Sequence, residues 1–478
     1  MNNAPQMHAW LKKLYAYWGI PALALWLGIV LTAGLLRFDP YGIGEPAAHA
    51  LLLAWSVSER VISSALVMGM PDLRALFFTA VGLYWPGSLI AAKVFTLLVT
   101  AAAAALLYRW SALHAGRESA LIATGLLLIA PATISQADSL GTGPFLLLAF
   151  VLGRWLDVAY RRSQRALGGW YFLQLLLILV VVSLHPAGLA YPLALIWEWW
   201  KNPLDARQQR QVYIGVGISV TFILLLRMGW RALDWLHNPA YALAQGVLGP
   251  EAGGETLPWI AGLACAGILL YLLWKELRAL SADFMPRILL GGAVLGLPAA
   301  DGGWAMVALA GLLYLGVPRL IAFNQSFGGR SFARQRGLAM AALFLTATLF
   351  MQANKAHQYA AAQNLLPPVD QLILTLAIAL EDAPAEQQVV AMSQWPGKTT
   401  LAIKRPALPL PPPFPDGATL MKNIRGVTHL IFDPYDPANK SLADNLAAVS
   451  GSTETVALQE GGAILRIRDS AAEATPAH

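Results

Sequence analysis

Apolar runs of roughly 14 to 22 residues recur along most of this chain, separated by short basic loops. A helix of about 20 apolar residues matches the ~30 Å hydrocarbon layer of a bilayer. A helix that is apolar on every side has to be buried, in lipid or among other helices. The runs fall near 16–36, 87–108, 118–135, 141–157, 169–184, 187–200, 211–227, 257–275, 286–300, 303–318 and 336–352. They predict a mainly α fold: a polytopic membrane helix bundle of about 11 spans. Only 13% of residues are charged, against about 25% in soluble domains. The 17 tryptophans suit a protein with many membrane–water boundaries. The first run is too long for a cleaved leader and is followed by further spans.

Lysine and arginine set the orientation. With the N-terminus inside, the inner loops receive Lys12, Lys13, Arg109, Arg117, Arg154, Arg161, Arg162, Arg165, Lys201 and further cations up to Arg336. The outer segments between spans receive only Arg37, Arg60, Arg74, Arg227 and Arg231. This is the positive-inside asymmetry, and it favours an odd number of spans. The outer face then collects acids, among them Asp39, Glu45, Asp72 and Asp138. Two outer loops are long, near 37–86 and 228–256, and the first contains amphipathic segments that read as interfacial helices.

From about residue 353 the pattern changes. "QLILTLAIALED" reads as an amphipathic helix, "QQVVAMS", "GVTHLIFD", "TETVALQ" and "AILRIRD" as strands, and "NKSLADNLAAVS" as a helix between strands. Strands alternating with helices predict a small α/β domain over 353–478, following a membrane domain over 1–352. "RPALPLPPPFPDG" is a proline-rich excursion within it. An odd span count places this domain outside. The net charge of +6 is scattered over loops rather than gathered with aromatics, which argues against nucleic acid as a partner. The single cysteine, Cys265, excludes an internal disulfide and a thiolate metal cluster.

Residues 37 to 160 carry a series with a familiar order. "RFDPYGIGEPAAH" supplies acids just after the first run. "GMPDLRALFFTAVGLYWPGSLIAAKVFTLL" follows, and then "GRESALIATGLLLIAPATISQADSLGTGPFLLLAF". This order resembles the GT-C superfamily of glycosyltransferases, and within it the bacterial relatives of protein mannosyltransferases and of the aminoarabinose transferase. Those proteins have an acid-bearing first outer loop, a "K-P-P-L"-like segment and a "P-x-x-I-x-x-S/A-x-x-A-x-x-D" helix end. "PATISQAD" is a shortened form of the last. The likeness covers the first third of the chain well and the rest loosely.

The resemblance implies a multi-pass protein of the bacterial inner membrane, with a cytoplasmic N-terminus and a periplasmic C-terminal domain. It implies transfer of a sugar from a polyprenyl phosphate to a lipid, glycan or protein acceptor. It also implies an outer-loop acid as base, often beside a divalent metal, magnesium or manganese, with Asp138 and Glu45 as the matching ligands. Glu45 matches the second of two adjacent acids, while Gly44 replaces the first. No lysine precedes Pro71.

Each candidate has two readings. Glu45 and Asp39 are a general base for an acceptor hydroxyl, or carboxylates of a Gly/Pro turn. Asp138 is catalytic, or caps the helix beginning in "SLGTGPF". Asp72 binds substrate, or is an acid of a helix N-terminus. Arg74, Arg227 and Arg231 bind the donor's phosphate, or reach lipid headgroups. His185 binds substrate, or is a hydrogen-bonded histidine at a kink. Trp197, Glu198, Trp199 and Trp200 read as an interfacial anchor.

The function expected is an integral-membrane glycosyltransferase. The alternative is a non-catalytic scaffold of the same fold with membrane-protein partners, which Gly44 and the missing lysine favour. A transporter would carry internal repeats and midplane charges, and neither pattern stands out.

Overall fold

In the computed structural model, the residues described are 39–58, 74–163, 168–202, 204, 208, 210–217, 267, 284–296, 302–327, 366–381, 390–459 and 462–468. The chain divides into two compact units. One comprises Met1–Leu36 with Lys93–Ala356, and the other Arg37–Ala92 with His357–His478. The second unit thus joins the first long loop to the C-terminal region.

Two short helices come from that loop: α1 (Glu45–Ser58) and α2 (Arg74–Gly82), which pack on each other. Beyond them runs α3 (Leu89–Ala115), whose 27 residues extend about 40 Å at 1.5 Å per residue. The helical unit continues with α4 (Arg117–Ile129), α5 (Pro131–Asp138), α6 (Gly143–Ser163), α7 (Gly169–Leu184), a 3-10 turn at Pro186–Leu189, α8 (Ala190–Lys201), α9 (Phe284–Leu295) and α10 (Gly302–Phe327).

The run expected over 118–135 is broken. Pro131 lacks the N–H that would continue α4 and starts α5 instead, and the axis turns by 52°. Among the described residues, α3 and α6 are long and apolar enough to cross a membrane, and α4 with α5 makes a third span if the bent pair is one. The runs near 16–36 and 336–352 lie outside the described residues, as does that near 257–275 apart from residue 267.

The core of this unit is built from Phe150, Tyr160, Tyr191, Trp199 and Phe284. Two of its buried polar contacts tie helices together: Trp304 Nε1 donates to the Ala293 carbonyl at 2.7 Å, and the Thr124 and Tyr314 hydroxyls lie 2.6 Å apart.

The C-terminal region is the expected α/β layer. It holds α11 (Pro368–Glu381), β1 (Ala391–Ser393), α12 (Pro396–Ile403), β2 (Ala407–Pro409), α13 (Gly417–Asn423), β3 (His429–Phe432), α14 (Lys440–Ala448), β4 (Thr453–Gln459) and β5 (Gly462–Ile467). The sheet order is β2-β1-β3-β5-β4, with the first three strands parallel and the last two antiparallel to their neighbours. Alternation along β3 sorts its side chains. Ile431 joins Leu372, Leu376 and Ile403 under α11 and α12, while Leu430 and Phe432 join Leu420 and Leu446 under α13 and α14. The proline-rich excursion contains β2, an edge strand, where a missing N–H is tolerated.

At the carboxyl end of the parallel strands, Gln394 ties two loops together. It accepts from the Asp433 N–H at 2.8 Å and donates to Asp436 at 2.8 Å.

Candidate active site

The first-loop acids sit in a tight turn. Asp39 Oδ1 accepts from the Tyr41 N–H at 3.2 Å, and Gly42 takes the left-handed conformation that suits glycine (φ 81°). The Gly42 N–H then donates to Asp370 Oδ2 at 3.2 Å, fastening the turn to α11.

Glu45 opens α1. Its Oε1 accepts from the Gly397 N–H at 2.6 Å and its Oε2 from the Lys398 N–H at 2.9 Å. These are first-turn amides of α12, which have no partner within their own helix. Pro396 brings no N–H, and the N-cap residue Trp395 makes no side-chain cap. Glu45 therefore caps α12 from 352 residues away, where the helix dipole favours a negative charge. The approach needs glycine: a Cβ on Gly397 would stand 2.9 Å from Glu45 Oε1 and 3.2 Å from the Ala48 Cβ.

One turn along α1, His49 Nε2 lies 2.8 Å from Glu45 Oε1, with the two side chains 39% and 22% exposed. The hydrogen bond to Glu45 raises the His49 pKa above 6.5, against the opposing effect of burial. Lys398 Nζ reaches Asp370 Oδ1 at 2.6 Å, so the cation beside this carboxylate is itself paired.

In the helical unit, Asp138 ends α5 rather than starting the next helix. Its Oδ1 meets Lys93 Nζ at 2.9 Å, with Lys93 fully buried and Asp138 16% exposed. The side chain that bonds the first amide of α6 is Gln136, through Gly143 N–H at 3.1 Å. Lys93 was missed in the sequence, although a lone ionisable residue inside an apolar run is a signal of its own.

His185 is buried, and its Nδ1 accepts from the Ala187 N–H at 3.0 Å, capping the 3-10 turn. Arg74 opens α2 and is buried rather than spread on a surface. Asp72, Arg227 and Arg231 lie outside the described residues. Asp39, Glu45 and Arg74 belong to one unit, Asp138 and His185 to the other.

The metal implied by the resemblance does not fit Glu45 and Asp138 as they stand. Lys93 already neutralises Asp138, and Glu45 is taken by two amides and an imidazole. A hard divalent ion would have to displace them, since it takes six or more oxygen ligands. Among the described residues no three His, Cys, Asp or Glu side chains converge.

Trp199 and Glu198, two of the four residues of the expected anchor, belong to buried polar contacts. Asp157 is fully buried and accepts from Arg154 at 3.3 Å, from Arg161 Nε at 3.1 Å and from Trp199 Nε1 at 3.0 Å. Glu198 pairs with Arg287 at 2.7 Å. Trp197 and Trp200 are exposed, as an anchor requires, but Glu198 and Trp199 point into the bundle.

No family model and no curated protein matches the chain. Solved structures do. ArnT from Cupriavidus metallidurans bound to undecaprenyl phosphate aligns over 94% of this chain and 98% of its own, at 14% identity and a TM-score of 0.52. Its apo form aligns over the same shares at 13% identity and 0.52. The oligosaccharyltransferase of Archaeoglobus fulgidus, tethered with an acceptor peptide containing the NVT sequon, aligns over 89% of this chain and 70% of its own, at 13% identity and 0.51. The chain has the GT-C fold.

Proposed function

We propose that this protein is an integral-membrane glycosyltransferase that moves a sugar from a polyprenyl-phosphate donor to an acceptor on the outer side of a bacterial inner membrane. The observation that carries this reading is the end-to-end likeness to ArnT bound to undecaprenyl phosphate. Transfer needs a group to take the acceptor's proton and charge compensation for the leaving phosphate. The Glu45–His49 pair is suited to the first, with Asp39 in the same turn. Lys93, held by Asp138 within the helical unit, is taken by itself as a contact for the donor's phosphate. Asp72, Arg227 and Arg231 remain proposed donor contacts.

The test is reconstitution of the full chain with undecaprenyl-phosphate-linked, tritiated hexoses and envelope lipids and proteins as acceptors. Radiolabel passing to an acceptor supports the reading, while donor binding without transfer rejects it. Reporter fusions after Arg165 and after Asp469 should report opposite compartments, cytoplasmic and periplasmic.

A second reading is a non-catalytic GT-C scaffold that docks other membrane proteins. The observation favouring it is that Glu45 already caps α12. It predicts no transfer by the wild-type chain and co-purification of a membrane partner.

A further inference from the structure

We propose that His49 is the residue that takes the acceptor's proton, and that Glu45 is its positioning residue. The inference rests on the glycosyltransferase reading and assigns roles within the Glu45–His49 pair.

The geometry separates the two groups. Both Glu45 oxygens are committed: Oε2 to the Lys398 N–H, and Oε1 to the Gly397 N–H and to His49 Nε2. A hydroxyl arriving at either oxygen would have to compete with a donor already in place. His49 is in the opposite position. Its Nε2 is fixed by the carboxylate, and among the described residues nothing bonds its Nδ1. The side chain is 39% exposed, which leaves the ring open to an arriving hydroxyl. A carboxylate holding one imidazole nitrogen sets the tautomer in which the other accepts a proton. The arrangement is rigid, since Glu45 is itself anchored to the first turn of α12 and Gly397 leaves room for it.

The charged groups around the imidazole support the assignment. Glu45 is the acid on its own helix, and it raises the His49 pKa. α12 brings Lys398, whose ammonium is taken by Asp370 of α11. α2, the other helix packed on α1, brings Arg74 as its one charged residue.

The step balances as follows. The acceptor O–H bond breaks and its proton passes to His49 Nδ1. The oxygen bonds the anomeric carbon of the sugar. The bond from that carbon to the phosphate oxygen breaks, and its electron pair leaves with the polyprenyl phosphate. The imidazolium returns its proton to water.

The experiment is single-turnover transfer by the reconstituted full chain across pH 5.5 to 9, with undecaprenyl-phosphate-linked, tritiated hexose. Binding of undecaprenyl phosphate serves as the check on folding. Wild type should show a rate that rises with pH through a midpoint above 6.5. His49→Gln should lose about 10²-fold or more in rate and lose that limb, with lipid binding retained. Glu45→Gln should keep measurable transfer and move the midpoint to lower pH, because the imidazole loses the charge that holds its proton. Retention of the limb in His49→Gln overturns the proposal, as does a larger loss in Glu45→Gln than in His49→Gln. Either result leaves the glycosyltransferase reading standing. No transfer by wild type overturns both.

Discussion

The contact between α1 and α12 and the cluster around Asp157 are both built on a carboxylate with several donors, yet they differ in what is left over. Asp157 is fully buried, and its partners are two arginines and an indole. The arginines lie on the same helix as Asp157, and the indole joins α6 to α8. Glu45 is held by backbone amides that cannot move away, and its remaining partner is a half-exposed imidazole. A carboxylate cluster thus reads as structural when the carboxylate is fully buried and its donors are guanidiniums and an indole. It reads as chemical when a titratable group with an open nitrogen remains.

The contrast can be broken most forcefully at Asp157. Asp157→Asn leaves Arg154 and Arg161 without their counter-charge, and removal of one partner of a buried ion pair costs about 3–5 kcal/mol. The apparent melting temperature in detergent should drop clearly, and a change within error would show that the cluster is solvated. Lys93→Met acts in the same way at Asp138, where one charge loses its partner rather than two. It should lower melting by less than Asp157→Asn and weaken binding of undecaprenyl phosphate. Unaltered lipid binding would remove Lys93 from the donor path.

Gly397→Ala is next in size. The new methyl meets Glu45 Oε1, Ala48 and His49, and overpacking of this kind costs roughly 1–3 kcal/mol. Limited proteolysis should then cut within α12 faster than in wild type. Equal cleavage rates would show that the Glu45 cap bears little load.

The smallest effect is the one with pH. The His49 pKa is raised in the fold, so its pairing with Glu45 is fully present below about 6.5 and is lost as pH rises through the raised value. The His429 pKa is lowered by burial and by Arg466, its partner on β5, so its contribution is present above about 6.5 and is lost as pH falls through the lowered value. Amide exchange, corrected for its intrinsic pH dependence, should show the first turn of α12 loosening toward alkaline pH and β3 loosening toward acid. Parallel responses at both places would mean that His49 does not govern its contact.

Much of this was legible in the sequence. Long apolar runs marked α3, α6 and α7, and the stretches "GVTHLIFD" and "AILRIRD" marked β3 and β5. What failed did so for local reasons. Pro131 split a run that composition alone joins, and β2 was hidden because its prolines count against a strand until the strand proves to be an edge. At the candidate site, Glu45 was found through its position after the first run. His49 was not, although four residues separate them on one helix face, because a histidine in an apolar helix has no meaning until its partner's other bonds are known. Those bonds come from Gly397 and Lys398, which no local pattern connects to residue 45.

That separation also fixes an order of events during synthesis. Glu45 emerges from the ribosome long before the amides it will cap. At a translation rate of about 5–20 residues per second, the 352 residues between Glu45 and Gly397 take on the order of tens of seconds. Throughout that interval α1 has been made and α12 has not, so the acid keeps water or lipid headgroups as its partners. The first loop therefore reaches its final geometry late, and a chain cut anywhere before Gly397 leaves it waiting.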